Sequence, residues 1–217
     1  MRTFGFPEFL FILEAAKWTL ALSAIAFVGG AILGLAIALM RTSESTWARG
    51  ISTTFIQIFQ GTPLLLQLFL VFFGAPVLGL DINPWVAAGV ALILNSAAFL
   101  GEIWRGCIEA IPRGQWEAAE ALSLKYTSRM RDVVLPQAFK IALAPTVGYV
   151  VQIIKGTSLA AIIGFVEVTR AGQIVNNATF QPLIVFSVVA AIYFVICWPL
   201  SLLAARMERK RARALAR

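Results

Sequence analysis

Three short runs place polar side chains inside stretches that are otherwise apolar. The first carries Gln57, Gln60, Thr62 and Gln67 around Gly61 and Pro63. The second carries Asn95, Ser96 and Glu102, and the third carries Gln152, Lys155, Thr157 and Ser158 around Gly156. Asn95, Phe99 and Glu102 follow i, i+4, i+7 spacing and share one helical face. The chain has no histidine, so imidazole acid–base chemistry and histidine metal ligands are excluded. Cys107 and Cys197 lie far apart, without metal or redox spacing, and read as small packing residues. No GxxxxGK[ST] phosphate loop occurs. The chemistry left open to these groups is recognition of a polar solute rather than bond making.

Their surroundings set the physical problem. The 217-residue chain is 59% hydrophobic, against about 45–50% for a soluble domain, and its mean hydropathy is +0.83. Five stretches have the ~20 residues that cross a bilayer: Trp18–Met40, Ile51–Phe73, Pro84–Trp104, Ile141–Phe165 and Leu183–Ala205. In lipid the backbone must satisfy itself, so these are helices. The expected fold is an all-α integral membrane protein, one domain over residues 1–217. A single soluble domain would have to bury all five stretches. The first span is rich in Ala and Gly, including the Gly30–Gly34 pair, which permits close helix approach. Met1–Lys17 reads as a short interfacial helix. Phe9–Leu13 is too short for the core of a signal peptide and is flanked by Glu8 and Glu14.

A buried charge at mid-bilayer costs about 2.5–3.5 kcal/mol on insertion scales, so intramembrane polar groups need a reason. Breaks at Gly61–Pro63 and near Gly156 would free backbone groups, which are tolerated only where protein or a polar cavity serves them. Such breaks near the midplane mark binding sites in transporters.

Charge then orients the chain. Of 18 basic residues, fourteen fall in three places: Arg41 and Arg49; Arg105, Arg113, Lys125, Arg129, Arg131 and Lys140; and Arg206, Arg209, Lys210, Arg211, Arg213 and Arg217. The positive-inside rule makes these cytoplasmic. The N-terminus is expected outside and the C-terminus inside, with the loops around Asp81 and Glu167–Gln181 facing outward. The 206–217 tail reads as an anchor near anionic lipid, not as a nucleic-acid site. The charged segment Gly114–Ala138 would lie in the cytoplasm as two short helices, Gln115–Leu122 and Lys125–Val134, bent at Ser123 and Leu124. Pro136 would punctuate the start of the fourth span. The segment is either a knob for a groove on a soluble partner or a solvated connection.

Glu117-Ala118-Ala119, followed by a bend and Leu135-Pro136, resembles the EAA loop of ABC importer permeases. Further motifs, in order, resemble the polar amino acid uptake family: TLALS (Thr19–Ser23), GTPLLLQL (Gly61–Leu68), EIWRG (Glu102–Gly106), IPRGQ (Ile111–Gln115), LPQA (Leu135–Ala138) and KGTSL (Lys155–Leu159). The chain departs from that family at Gln60 (usually Arg), Ser123 (usually Gly) and Gly156 (usually acidic).

The resemblance implies a type I importer permease that moves an amino acid or related zwitterion across the inner membrane by alternating access. It implies a second permease, identical or paralogous, two ATPase subunits that bind ATP and Mg, and an extracytoplasmic substrate-binding protein. The chain itself would bind no cofactor or metal and catalyse no bond chemistry. Coupling to the ATPase would fall to Glu117, Ala118, Ala119, Leu122, Ser123 and Leu124. The candidate substrate set is Gln60, Gly61, Thr62, Gln67, Asn95, Phe99, Glu102, Lys155, Thr157 and Ser158. Hydroxyls and freed N–H groups would serve the carboxylate, and Glu102 and Asn95 the ammonium. Glu102 could instead pair with Arg105 or Lys155 and hold the bundle, or belong to a gate. Gly156, lacking the usual carboxylate, disfavours Lys or Arg as cargo. An ion-coupled carrier or channel, or a membrane anchor for a soluble partner, are the other classes open.

Overall fold

A computed structural model describes residues 3–215. Arg2 and Arg217, counted among the basic residues above, lie outside the described residues. The described chain is helical and without strands.

Helix α1 (Phe6–Arg41) is one unbroken element of 36 residues. Glu8 closes its start by accepting the Gly5 N–H at 3.0 Å, and Arg41 lies in the last turn, where it suits the helix dipole. The separate interfacial helix expected at Met1–Lys17 is therefore corrected: the described part of it runs straight on into the first span. After Pro7 no proline or glycine interrupts the segment, and Glu14 and Lys17 pair at i, i+3 across the expected junction.

The second predicted span is a bent pair, α2 (Thr46–Gly61) and α3 (Leu64–Val77), with 101° between them. Pro63 has no N–H and disfavours helix at the residue before it, and Thr62 is accordingly extended at φ −115°, ψ 139°. The pieces are roughly 24 and 21 Å long, so neither alone crosses a hydrocarbon core of ~30 Å.

Helix α4 (Pro84–Glu109) starts with Pro in its first turn and an Asn83 side chain that accepts the Val86 N–H at 3.0 Å. It runs parallel to α1, with Trp18 against Trp85 at one end and Ala38 clustered with Ile108 at the other. Small residues make this contact possible. A Cβ added at Gly30 would stand 2.5 Å from Ser96 Cβ, and one at Gly101 would stand 2.8 Å from Ile37 Cγ2. Gly30→Leu is expected to force the two helices apart, at a cost of about 1–3 kcal/mol or more. It should lower the thermal unfolding temperature in detergent and the monodisperse yield. Gly50→Leu, at a glycine with open space around it, should change neither.

Helix α5 (Arg113–Ala121) ends in a paired turn, with Ser123 N–H on Glu120 O at 2.8 Å and Leu124 N–H on Ala119 O at 3.1 Å. This closure needs a left-handed residue, and Ser123 supplies it at φ 56°. Glycine would adopt that angle freely, whereas serine carries a cost of roughly 1 kcal/mol. The expected second piece, Lys125–Val134, is not a separate helix. Helix α6 (Tyr126–Ser128) continues through a π-helical stretch (Arg129–Val134) into α7 (Leu135–Gly156) and a 3-10 stretch (Thr157–Ile163). Pro136 lies in the first turn of α7 and does not punctuate. The wider π turn just before it relieves the clash of its ring with the carbonyl four residues back. The break expected near Gly156 is therefore corrected: the helix passes through Gly156 uninterrupted and only tightens from α to 3-10 at Thr157.

The expected loop Glu167–Gln181 is mostly helix α8 (Val168–Thr179), and α9 (Pro182–Leu215) completes the bundle. Glu167 is fully buried. It caps α8 by accepting Thr169 N–H at 2.9 Å and Arg170 N–H at 2.8 Å, and takes the Tyr193 hydroxyl at 2.6 Å. Burial pushes its carboxyl above the usual range, and these donors oppose the shift. Neither the burial nor the cap is readable from a lone glutamate in a polar run.

Candidate functional site

The broken pair, α4 and α7 line a partly open cavity of about 370 Å³. Thr62 and Leu64 reach it from the α2–α3 break. Leu92, Asn95, Ser96 and Phe99 come from α4, and Tyr149, Gln152, Ile153 and Gly156 from α7. Each of the two helices thus contributes an i, i+3, i+4, i+7 stripe, the spacing of one helical face. Asn95 stands near the midpoint of α4. The Phe99 and Tyr149 rings stack across the gap at 5.5 Å and 20°. At Gly156 the backbone comes close: a Cβ there would lie 3.2 Å from Leu64 Cδ2 and 3.7 Å from Leu92 Cδ2.

The backbone groups freed at the break have a partner, Gln67. This residue is buried. Its Nε2 donates to Phe59 O at 2.8 Å, Thr62 O at 3.0 Å and the Thr62 hydroxyl at 2.9 Å. Because that end of the amide faces acceptors, Oε1 faces the other way and accepts from Asn95 Nδ2 at 3.1 Å. Asn95 thereby spends its donor on Gln67, with a longer contact to Phe59 O at 3.4 Å. Its Oδ1 is left as an acceptor at the cavity wall.

The structure sorts the predicted substrate set. It brings Thr62, Asn95 and Phe99 to the cavity and sets Gln67 behind them as the stitch of the break. Gln60 donates to Ala98 O at 3.2 Å, tying α2 to α4. Gly61 has open space around it. Glu102 lies one turn beyond Phe99 and is gripped by Arg105, with Nη2–Oε1 at 2.5 Å and Nε–Oε2 at 2.9 Å. Arg105 also holds Glu109. Thr157 is buried with its hydroxyl on Ile154 O at 2.7 Å, and Ser158 bonds Lys155 O at 2.7 Å. Lys155 is exposed and off the cavity stripe. Gln152, Gly156 and Ser96 were visible as polar or breaking residues but not as site residues. Tyr149, Leu64, Leu92 and Ile153 were missed. The Tyr149–Gln152–Gly156 spacing was the available signal.

At one end of the bundle the 114–138 segment sits against the α1–α2 turn, where the Tyr126 hydroxyl donates to Thr42 O at 3.1 Å. Ala119 faces inward and is buried. Glu117, Ala118, Ala121, Leu122 and Ser123 are exposed, and Leu124 is half-buried. The result is a small-residue knob with one projecting leucine.

Among the described residues, four long apolar helices and one bent apolar pair form the bundle, and the pair, α4 and α7 line a partly polar cavity. That architecture defines a membrane-spanning transport subunit. Residues 19–213 match the family described as binding-protein-dependent transport system inner membrane component, and the chain belongs to that family. It is 35% identical over 206 residues to the glutamine transport system permease protein GlnP of Escherichia coli K12, covering 94% of each chain. It is 38% identical over 205 residues to the arginine transport system permease protein ArtQ of Bacillus subtilis, again covering 94% of each. A crystal structure of an amino acid ABC transporter with histidines superposes with a TM-score of 0.87 at 32% identity, over 96% of this chain and all of that one. The fold is that of type I ABC importer permeases. Proteins of this kind are transport subunits, with ATP hydrolysis in a separate chain.

Proposed function

We propose that the chain is the permease of an amino acid importer and that the cavity is its transmembrane substrate site. The carrying observation is the cavity itself, which opens beside a broken span at mid-depth, where transporters bind cargo. Its volume, about 370 Å³, is at the low end of the ~300–1,000 Å³ of small-molecule sites. Asn95 Oδ1 accepts from the ammonium. The Gln152 amide, which has no hydrogen bond among the described residues, donates to the carboxylate. The Phe99–Tyr149 stack walls the remainder. Names borne by relatives, glutamine and arginine transport permeases, support an amino acid cargo. Asn95→Ala is expected to weaken substrate binding about tenfold, the loss of one hydrogen bond to a charged group. Glu102→Gln should leave affinity unchanged, because that carboxylate serves Arg105. Titration of labelled substrate into the purified complex checks both, and full affinity in Asn95→Ala overturns the assignment. A carrier coupled to ions through Glu102 fits less well for the same reason.

The basic residues support the N-terminus outside and the C-terminus in the cytoplasm of a bacterial inner membrane. The α1–α2 turn near Arg41 and Arg49 meets the basic 114–138 segment at one end, and the 206–217 tail would rest on anionic lipid. Two ATPases, carrying ATP and Mg, dock on the α5 knob and its counterpart in a second permease. The apolar residues that α3 leaves exposed, Leu66, Leu70, Phe73 and Val77, face that second permease or lipid. An extracytoplasmic binding protein delivers the cargo. Closure of the ATPases moves α5, and the continuous helix from Tyr126 carries that motion to the cavity wall.

A further inference from the structure

We infer, resting on the proposed amino acid site, that the cavity accepts an uncharged side chain and that Gly156 determines this specificity. Thr62, Asn95, Ser96, Tyr149 and Gln152 are its hydrogen-bonding side chains, all neutral, and the rest of the wall apart from Gly156 is aliphatic or aromatic. Among the described residues, no charged side chain lines it. The nearest charges along α4, Glu102 and Arg105, already hold one another. Lys155, next to Gly156 in the chain, is exposed off the cavity stripe. The two charges of a zwitterion lie close together and meet Asn95 Oδ1 and the Gln152 amide. A third charge, on a lysine or glutamate side chain, would find no charged partner on this lining, and an unpaired charge at mid-bilayer depth is costly.

Gly156 controls the end of the cavity between Leu64 and Leu92. Any side chain there would enter the gap between them, since even a Cβ stands 3.2 Å from Leu64. A polar one would change the character of an apolar recess, and an ionised one would give it a charge. Overall likeness does not choose the cargo: the relatives named for glutamine and for arginine transport are 35% and 38% identical. The recess is where the choice is made.

The test is binding of radiolabelled glutamine, leucine, lysine and glutamate to the detergent-purified permease–ATPase complex, without the binding protein, so that only the membrane site selects. The wild-type complex should prefer glutamine or leucine over lysine and glutamate by about a hundredfold, the ratio that matches an unpaired charge at mid-depth. Gly156→Asp should gain lysine binding, and Gly156→Asn, of equal size but neutral, should not. Lysine or glutamate bound by wild type as tightly as the neutral pair overturns the inference and leaves the importer reading standing. Equal lysine binding by the Asp and Asn variants removes the role of Gly156. No binding of any of the four would instead count against the amino acid site itself. Should Gly156→Asp fail to fold, the wild-type ranking still decides the neutral-cavity claim.

Discussion

Glu117→Lys is expected to abolish uptake while the permease remains in the membrane at normal level. Glu117 is exposed on α5, and its side chain makes no ion pair or hydrogen bond with the described residues. Its replacement should therefore change stability by no more than about 0.5 kcal/mol. The loss would fall on the partner. Beside Glu117 the knob is made of Ala118 and Ala121, which let a groove wall approach closely, and Leu122, 75% exposed, which can fill a pocket. An inverted charge at the centre of such a face would have no counterpart, and like charge across an interface costs several kcal/mol. Co-purification is the measurement: the ATPase subunit should be absent from the tagged variant permease. Retained ATPase with normal uptake would remove α5 from the coupling surface.

Gln67→Leu should have the largest effect on the bundle itself. Its side chain serves Phe59 O, Thr62 O, the Thr62 hydroxyl and Asn95 Nδ2 at once. Leucine fills a similar volume but serves none of them. Each buried polar group left without a partner costs roughly 1–3 kcal/mol, and lipid offers no water in exchange. The 101° bend should relax or the protein should fail to accumulate as a monodisperse species. Gln67→Glu retains acceptors but not the donor and should be almost as damaging. Thermal unfolding in detergent separates these outcomes, and an unchanged melting temperature in Gln67→Leu would show that the break is held by other contacts.

The sequence by itself located the apolar stretches that became four long helices and the bent pair, because a run of ~20 apolar residues has the length that crosses a bilayer. It also located the break at Gly61–Pro63, because proline acts on its neighbours through local geometry alone. The bend at Ser123 and Leu124 was also expected, but its left-handed form followed from the family resemblance rather than from a local rule. Site membership was not legible. Gln67 and Gln152 look alike in sequence, yet one stitches a backbone break and the other lines the cavity. Glu102 shares a helical face with Asn95 but lies one turn beyond the part of that face, Leu92, Asn95, Ser96 and Phe99, that lines the cavity. Periodicity says which residues share a face. It does not say what that face meets, or at what depth one helix lies against the next. Those were decided by the close approach of α1 and α4 across Gly30 and Gly101, by the angle of the broken pair, and by the carbonyls this angle turned toward Gln67, all of them contacts between residues distant in the chain.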